Sequence, residues 1–523
     1  MFSQLWERSV VLENQGTEEV LPERSSRRAF LKSLLAGSLG AAVSRPGRAL
    51  SRGRSISYDF RGIRQAIVAA VVSHKATGIA VAVAHHGRII WEQGFGFTNR
   101  GAGTKVSERT PFCLASITKP FTTTALMTLV AAGKISLDDS ANKYLGPKVE
   151  LKGDADCATL RLLGAHAAGL PSMFEMFPVR GGERQPSSTA LLENYGTLAY
   201  PPNELYEYSN IGFEALGRIA SNVGGLPFGE LLTTQVLTPL GLHDSFFDTD
   251  KARLANGALL YDELERPIPE YFTATPPSGE LYASAHDLAR FAMFNLKNHL
   301  PDQTRILDDR LIDEIHNPVF RGPNRGATTF GWFSGETKSG LLVILKDGGQ
   351  PGVSTIMYMV PEENLACVAL ANRSDNGEFI QTLVDEMASA IIPNWTTPHA
   401  SVGLPTVDFP EKSVFSGKWS GQLHGGGAKM AVSMDFTPTG GATLLLGNKT
   451  PEIVTSLGLQ GNALIGKSAG TIESADAIRN HATSLSLKLQ RRDDKLEGRV
   501  LASATAPGEL ATLPFVVELQ RSQ

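Results

Sequence analysis

The sequence has little of what marks several large classes of protein. Its three cysteines, Cys113, Cys157 and Cys367, are an odd number without paired spacing, which argues against a disulfide framework or a zinc site. We expect all three to be small buried side chains. The net charge is only −4 over 523 residues, with no long run of either sign. This excludes the concentrated basic face that nucleic-acid binding requires.

Long apolar runs are also missing. No stretch reaches the roughly 20 apolar residues that a transmembrane helix needs, so we expect no stable membrane span. A shorter apolar stretch, residues 34–43, follows the twin arginine Arg27-Arg28. This order is typical of a Tat-type export signal, so we predict a leader at residues 1–50 of a bacterial protein that is periplasmic or otherwise exported. The alternative is a disordered basic tail.

The remaining chain is long enough for two or three domains. Residues 78–99 contain two β-branched runs around a His-Gly turn, which predicts a hairpin. Helical patterns dominate residues 116–300, strand patterns return after residue 340, and a helical pattern closes the region at residue 392. This mixture predicts an α+β domain at residues 55–395.

The composition then changes. Residues 396–412 lie in a proline-rich, aperiodic stretch and are predicted to be a linker. Beyond them apolar residues alternate with polar ones, as at Met430, Val432, Met434 and Phe436. Period-two alternation predicts antiparallel strands with one buried face. Residues 413–523 are therefore predicted to form a small all-β, barrel-like domain.

Chemistry is indicated first by the stretch CLASITKPFTTTALMTLV. Pro120 is tolerated only near the first turn of a helix, so the helix should begin no earlier than about Ser116. Lys119 is three residues further on and lies on the same face. A serine needs a neighbouring base to act as a nucleophile, and a lysine with a depressed pKa qualifies. The alternative is a lysine that extends from a core helix to solvent.

Two later stretches carry further polar side chains. Tyr208 and Asn210 precede an amphipathic helix and can supply a proton relay and a polar anchor, or simply a core residue and a helix cap. Lys346 ends an apolar run and enters the turn Asp347-Gly348-Gly349, where glycines allow close approach of a ligand. A second lysine there would help to keep Lys119 neutral, whereas a lone lysine at a strand end is more often solvated.

Ser116-x-x-Lys119, Tyr208-x-Asn210 and Lys346-Asp347-Gly348 resemble, in order and approximate spacing, the motifs of the penicillin-recognising serine hydrolases. The likeness is closest to class C β-lactamases and the related D-alanyl-D-alanine carboxypeptidases, D-aminopeptidases and esterases. It implies a helical domain packed on an antiparallel sheet flanked by helices, with the site between them. The C-terminal region more loosely resembles the lipocalin-like barrels of some D-aminopeptidases.

The resemblance also implies a role for each residue. Ser116 would be the acylated nucleophile and Lys119 its base. Tyr208 would relay the proton to the leaving group and then help to activate the hydrolytic water. Asn210 would hold the acyl-side amide of the substrate, and Lys346 would tune the field around Lys119. The backbone N–H groups of Ser116 and Gly349, beside Gly348, would form the oxyanion hole. This chemistry needs no metal or organic cofactor.

Asp347 departs from the family pattern, because relatives usually carry a small hydroxylated residue there. A carboxylate would repel the carboxylate of a β-lactam or of a D-Ala terminus, so we expect esters or amine-bearing peptides to be preferred. The sequence thus predicts an exported serine hydrolase that acts through an acyl-enzyme on a small-molecule or peptide ester, D-amino-acid peptide or β-lactam. The alternatives are an inactive protein that binds cell-wall peptides and a structural β-module protein.

Overall fold

The computed structural model describes residues 58–179, 184–247, 257–323, 325–409, 414–504 and 510–522. The predicted leader, residues 1–50, lies outside these ranges. Contacts divide the chain into Met1–Asp59 and Phe60–Gln523, and every residue discussed for the site belongs to the second unit. Among the described residues, no helix is both long and apolar enough to cross a bilayer.

Helices concentrate in the first four-fifths of the chain, where polar side chains start several of them. Ser209 and Ser284, for example, accept hydrogen bonds from the backbone N–H groups of Gly212 and Asp287 and so cap the helices that follow. The α-helices within the described ranges are α1 Arg61–Val72, α2 Thr118–Ala131, α3 Leu160–Gly164, α4 Ser188–Tyr195, α5 Asn210–Gly224, α6 Phe228–Leu232, α7 Pro276–Gly279, α8 Ala285–Asn295, α9 Asp309–His316, α10 Gly377–Ser389 and α11 Ala475–Arg479.

Strands occur in two groups along the chain. The first group is β1 Gly78–His85, β2 Arg88–Asn99, β3 Thr104–Lys105, β4 Phe112–Cys113, β5 Phe174–Pro178, β6 Phe246–Phe247, β7 Tyr271–Thr273, β8 Leu281–Ala283, β9 Phe320–Arg321, β10 Ala327–Thr328, β11 Phe333–Glu336, β12 Leu342–Gln350, β13 Val353–Val360 and β14 Leu365–Ala371. The second is β15 Thr406–Asp408, β16 Gly417–Gly425, β17 Ala428–Phe436, β18 Ala442–Leu446, β19 Glu452–Gln460, β20 Ala463–Ala469, β21 Ser484–Arg492, β22 Lys495–Ala504 and β23 Ala511–Arg521.

The central sheet of the first region has nine strands in the order β3-β2-β1-β14-β13-β12-β11-β10-β9, and every pair in it is antiparallel. Strands β13 and β14 are buried along their whole length, because helices α8 and α10 both pack on β14. Burying a strand on both faces explains its nearly unbroken apolar sequence. This is the predicted helical and antiparallel α+β architecture, and it fixes β12 beside the N-terminal end of α2.

The second group of strands forms a closed eight-stranded barrel, β16 to β23, which we call the C-terminal barrel. Neighbouring strands pair in sequence, and the pairing of Trp419 with Arg521 closes β16 onto β23. Trp419 is fully buried inside it. The sheet does not stop at the barrel, because β23 also pairs with β5, at Glu175 and Ala511. The C-terminal barrel therefore shares backbone hydrogen bonds with the first region.

Several predictions can be compared with this fold. The hairpin at residues 78–99 is confirmed as β1 and β2, and the period-two runs after residue 413 are strands. Lys346 does not end its strand, because β12 continues to Gln350 before the chain turns. Cys113 and Cys367 are buried, but the prediction for Cys157 is wrong, since it is exposed in a surface turn. The boundaries at residues 395 and 413 remain predictions.

Candidate active site

Ser116 lies where a short turn becomes a helix. A 3₁₀ turn, Ala115–Ile117, runs directly into α2, so the predicted position of Ser116 at the helix start is confirmed. Ala115 has a φ of 47°, a left-handed conformation that costs a non-glycine residue about 1–3 kcal/mol. The surrounding backbone holds this turn in place, since the N–H of Leu114 donates to the carbonyl of Leu281. The strained turn presents the hydroxyl of Ser116 at the surface of the cleft.

The second half of β12 lies against this turn. Strand β11 pairs with β12 only as far as Leu345, so Lys346–Gln350 has a free edge on that side. A Cβ at Gly348 would lie 2.2 Å from the carbonyl oxygen of Leu114 and 3.0 Å from the nitrogen of Ser116. Only glycine allows this approach. Across the sheet, Thr355 Oγ1 donates to the same Leu114 carbonyl at 2.8 Å.

Tyr208 comes from the loop before α5, and Asn210 is the first residue of that helix. Ser209, rather than Asn210, caps this helix, which leaves both neighbouring side chains free to face the cleft. The amide Nδ2 of Asn210 donates to the carbonyl of Met173 at 2.7 Å, so its Oδ1 faces the other way. That oxygen lies 2.8 Å from Lys119 Nζ.

Two side chains, Lys119 and Tyr208, meet at the hydroxyl of Ser116. Ser116 Oγ lies 3.1 Å from Lys119 Nζ and accepts a hydrogen bond of 2.7 Å from the phenol of Tyr208. Lys119 Nζ has two further oxygen neighbours, Asn210 Oδ1 and the carbonyl of Ser278 at 3.0 Å. The three neighbours suit either the three N–H groups of an ammonium or the two N–H groups and one lone pair of a neutral amine.

Burial favours the neutral state of Lys119. The side chain is completely buried, and burial, together with the charge of Lys346, holds its pKa well below the ordinary value; the carboxylate of Asp347 opposes this in part. In the neutral state, Lys119 donates to Asn210 and Ser278, and its lone pair is left for the proton of Ser116. The arrangement can therefore activate a serine.

Tyr208 has the opposite tendency. Burial raises the pKa of its phenol, and the charge of Asp347 adds to this, although the hydrogen bond to Ser116 lowers it somewhat. A phenol with a raised pKa keeps its proton, so Tyr208 is suited to donate and Lys119 to accept. Their pKa values are pushed apart, which is how paired groups divide acid and base work.

Lys346 and Asp347 complete the cleft on the sheet side. Lys346 is 1% exposed, and its Nζ lies 5.2 Å from the ring centre of Tyr208. Burial lowers its pKa, whereas Asp347 raises it. Asp347 Oδ1 lies 3.8 Å from Lys346 Nζ, yet the side chain of Asp347 is 49% exposed. Gly349 follows in the same strand and pairs with Ser354. The side chains proposed from sequence therefore lie close together around Ser116.

His166 was not identified from the sequence. Its ring stacks on Tyr208 with centres 4.1 Å apart, and its Nδ1 accepts from the N–H of Ser209 at 3.0 Å. Its carbonyl accepts from the N–H of Glu207. Burial and the nearby lysines hold the pKa of His166 well below the ordinary value, so the ring is neutral. His166 thus fixes the residues on both sides of Tyr208.

Comparisons with known proteins agree with this geometry. A sequence profile of the family described as Beta-lactamase matches residues 63–390. The protein flp of Staphylococcus aureus is 24% identical over 323 residues, which are 60% of this chain and 63% of that protein. The present chain thus spans less than two thirds of that relative.

Solved structures show the same fold at low identity. The crystal structure of SurE with D-Leu has a TM-score of 0.60 at 19% identity and covers 86% of this chain and 98% of its own. A class C β-lactamase has a TM-score of 0.54 at 20% identity and covers 63% of this chain and 97% of its own. The SurE match therefore covers a larger share of this chain than the β-lactamase match does.

Two substitutions beside Lys119 should shift the pH dependence of activity in opposite directions. Lys346→Met removes a cation, so the pKa of Lys119 should rise and the acidic limb of kcat/KM should move to higher pH. Asp347→Asn removes an anion, so the same limb should move to lower pH. Profiles of kcat/KM on an ester between pH 4 and 10 measure both. Shifts of the same sign, or none, would show that Lys119 is not the titrating base.

Proposed function

The chain belongs to the β-lactamase family, and on that basis we propose that it is a serine hydrolase that works through an acyl-enzyme at Ser116. One observation carries this proposal. The hydroxyl of Ser116 lies between a buried amine with a depressed pKa and a phenol with a raised one. A nucleophile in contact with both a proton acceptor and a proton donor is the minimum that acyl transfer needs.

The first half of the proposed reaction forms the acyl-enzyme. Ser116 Oγ attacks the substrate carbonyl while its proton moves to Lys119 Nζ. Negative charge then develops on the former carbonyl oxygen, where the backbone N–H groups of Ser116 and Gly349 are proposed to stabilise it. When the tetrahedral intermediate collapses, the bond to the leaving group breaks and Tyr208 supplies the proton that this group needs. The proton held by Lys119 restores the phenol.

The second half returns the enzyme to its starting state. A water molecule takes the place of the leaving group, and its proton moves to Lys119 Nζ as it attacks the acyl carbonyl, while the phenol of Tyr208 orients it. The bond to Ser116 Oγ breaks, and the serine recovers its proton. Asn210 is proposed to hold the acyl-side amide of the substrate, because Lys119 and Met173 fix its orientation.

Asp347 is proposed to select the class of substrate. Its half-exposed carboxylate stands at the mouth of the cleft, beside Lys346. A substrate carboxylate placed there would meet a like charge, whereas an amino group or a neutral ester would not. We therefore favour a D-peptidase or esterase over a true β-lactamase. That SurE, a protein of similar fold, was crystallised with D-Leu supports a D-aminoacyl substrate.

We also propose that the protein is exported. The twin arginine at residues 27 and 28 and the apolar residues 34–43 are the support for this, and the serine hydrolases that the chain resembles act on cell-wall peptides or their mimics outside the cytoplasm. The second candidate function is an inactive protein that binds such peptides. The complete set of polar contacts at Ser116 favours the enzyme, because a protein that only binds peptides does not require a neutral lysine beside a serine.

Replacing the nucleophile is the direct test of this function. We expect Ser116→Ala to reduce turnover by about 10³-fold or more on whichever substrate is hydrolysed, because the remaining groups only bind and polarise it. A panel of an ester, a β-lactam, a D-Ala dipeptide and a D-aminoacyl amide covers the proposed classes. Ser136→Ala, at an exposed serine outside the site, is the control. Equal turnover by wild type and Ser116→Ala on every substrate would remove the assignment.

The preference between substrates should respond to Asp347. We expect Asp347→Thr to raise the rate on penicillin relative to a p-nitrophenyl ester by about fivefold. The reason is that a half-exposed charge interacts with a neighbouring charge by roughly 1 kcal/mol. Asp347→Asn separates the loss of charge from the gain of a hydroxyl. If kcat/KM for penicillin and for the ester keep their ratio in both variants, Asp347 does not select the substrate.

A further inference from the structure

We propose that the C-terminal barrel is part of the active-site framework, because it anchors the two chain segments that position Tyr208 and Asn210. This inference rests on the proposed function and extends it to residues far from Ser116. Each of the two segments carries a buried carboxylate close to a site residue. In one case basic side chains of the C-terminal barrel bind that carboxylate, and in the other it is bound by Arg479 and Asn480, which lie between β20 and β21 of the barrel.

The first anchor is next to Tyr208. Glu207 is 6% exposed, and its two oxygens bind Lys488 Nζ at 3.0 Å and Arg499 Nε at 2.7 Å. Lys488 Nζ also donates to the carbonyl of Tyr206 at 3.2 Å. It therefore holds the two residues that directly precede Tyr208. A buried carboxylate with two cationic neighbours is strongly held, because each of its oxygens accepts a charge-assisted hydrogen bond from a different side chain.

The second anchor is close to Asn210. The carbonyl of Met173 fixes the Asn210 amide, and the next residues form β5, which extends the sheet of the C-terminal barrel by pairing with β23. Glu175 on this strand is 1% exposed. It accepts hydrogen bonds from Arg479 and from Asn480 Nδ2, both contributed by α11 and the residue after it. Backbone pairing and the contacts of the buried Glu175 carboxylate therefore hold Met173 in place.

The arrangement supports a positioning role, not only adhesion between two regions. His166 holds Glu207 and Ser209 from the side of the first region, while Lys488 and Arg499 hold Glu207 from the other side. The loop that carries Tyr208 is thus clamped from two directions. A displacement of about 1 Å in a reacting group can reduce a rate about 10²-fold, so a clamp of this kind affects turnover directly.

The test compares variants of the full chain at two ion pairs of the same interface. Lys488→Met removes one cation from Glu207, and Lys488→Arg restores the charge. Arg492→Gln is the control. It removes a partly exposed ion pair with Glu204, a residue that lies three positions before Glu207 in the chain. Lys488→Gln replaces Lys488→Met if the latter does not fold by circular dichroism. Amide hydrogen exchange and the kcat and KM of the preferred panel substrate are measured for each.

We expect Lys488→Met to lower kcat by about 10- to 100-fold with little change in KM, because the transfer of protons through Tyr208 is misaligned while the cleft remains. Exchange at the amides of Glu207 and Ser209 should become faster. Arg492→Gln should change neither quantity, and Lys488→Arg should recover kcat. Folded Lys488→Met with wild-type kcat and wild-type exchange would overturn the proposal, as would an equal loss of kcat in Arg492→Gln.

The two readouts separate this inference from the proposed function. Wild-type activity of Ser116→Ala would remove the proposed function, whatever the exchange rates show. Unchanged exchange at Glu207 and Ser209 in Lys488→Met would remove the anchor, whatever reaction Ser116 performs. Faster exchange with unchanged kcat would also contradict the proposal, since the anchor would then have no effect on catalysis.

Discussion

The site depends on keeping the amine of Lys119 neutral inside the protein. An ammonium there would have to survive without water and beside a second buried cation, Lys346, so the uncharged amine is favoured. Its two N–H groups have two oxygens to bind, on Asn210 and Ser278, and its lone pair then has one partner, the hydroxyl of Ser116. Three features favour this neutral amine: the burial of Lys119, the fixed orientation of Asn210 and the close approach of β12.

Much of this centre could be predicted from the sequence, because its chemistry lies in side chains with local signatures. Pro120 limited the start of the helix and so placed Ser116 and Lys119 on one face. Tyr208 and Asn210 precede an amphipathic helix, and Lys346 precedes two glycines. The alternation after residue 413 likewise predicted strands, because a period of two is a direct consequence of strand geometry.

The parts of the site that could not be predicted depend on contacts between residues far apart in the chain. The carbonyls of Ser278 and Met173 bind site residues, but a backbone carbonyl has no residue-type signature. Thr355 anchors the turn before Ser116 through a hydrogen bond across 241 residues. The position of His166 is shown only by its stacking on Tyr208. Period and composition do not encode such pairings.

The partners of the buried carboxylates were even harder to predict from the sequence. Glu207 in a polar loop would ordinarily be solvated, and its partner Lys488 is 281 residues away on a strand of a region that reads as a separate β-domain. The sequence therefore predicted two modules joined by a linker. The structure adds contacts between the two regions, namely a shared sheet and ion pairs of buried carboxylates beside Tyr208 and Asn210. The C-terminal barrel consequently belongs to any physical account of how the cleft is held in shape.

Covalent trapping of the nucleophile tests the central claim most directly. A fluorescent penicillin or phosphonate is incubated with the protein, and the labelled peptide is located by mass spectrometry. A neutral Lys119 beside Ser116 predicts a single adduct on the peptide that contains Ser116, formed faster as the pH rises through the pKa of Lys119 and absent from Ser116→Ala. Binding of both probes without any adduct, or an adduct on another residue, would contradict it.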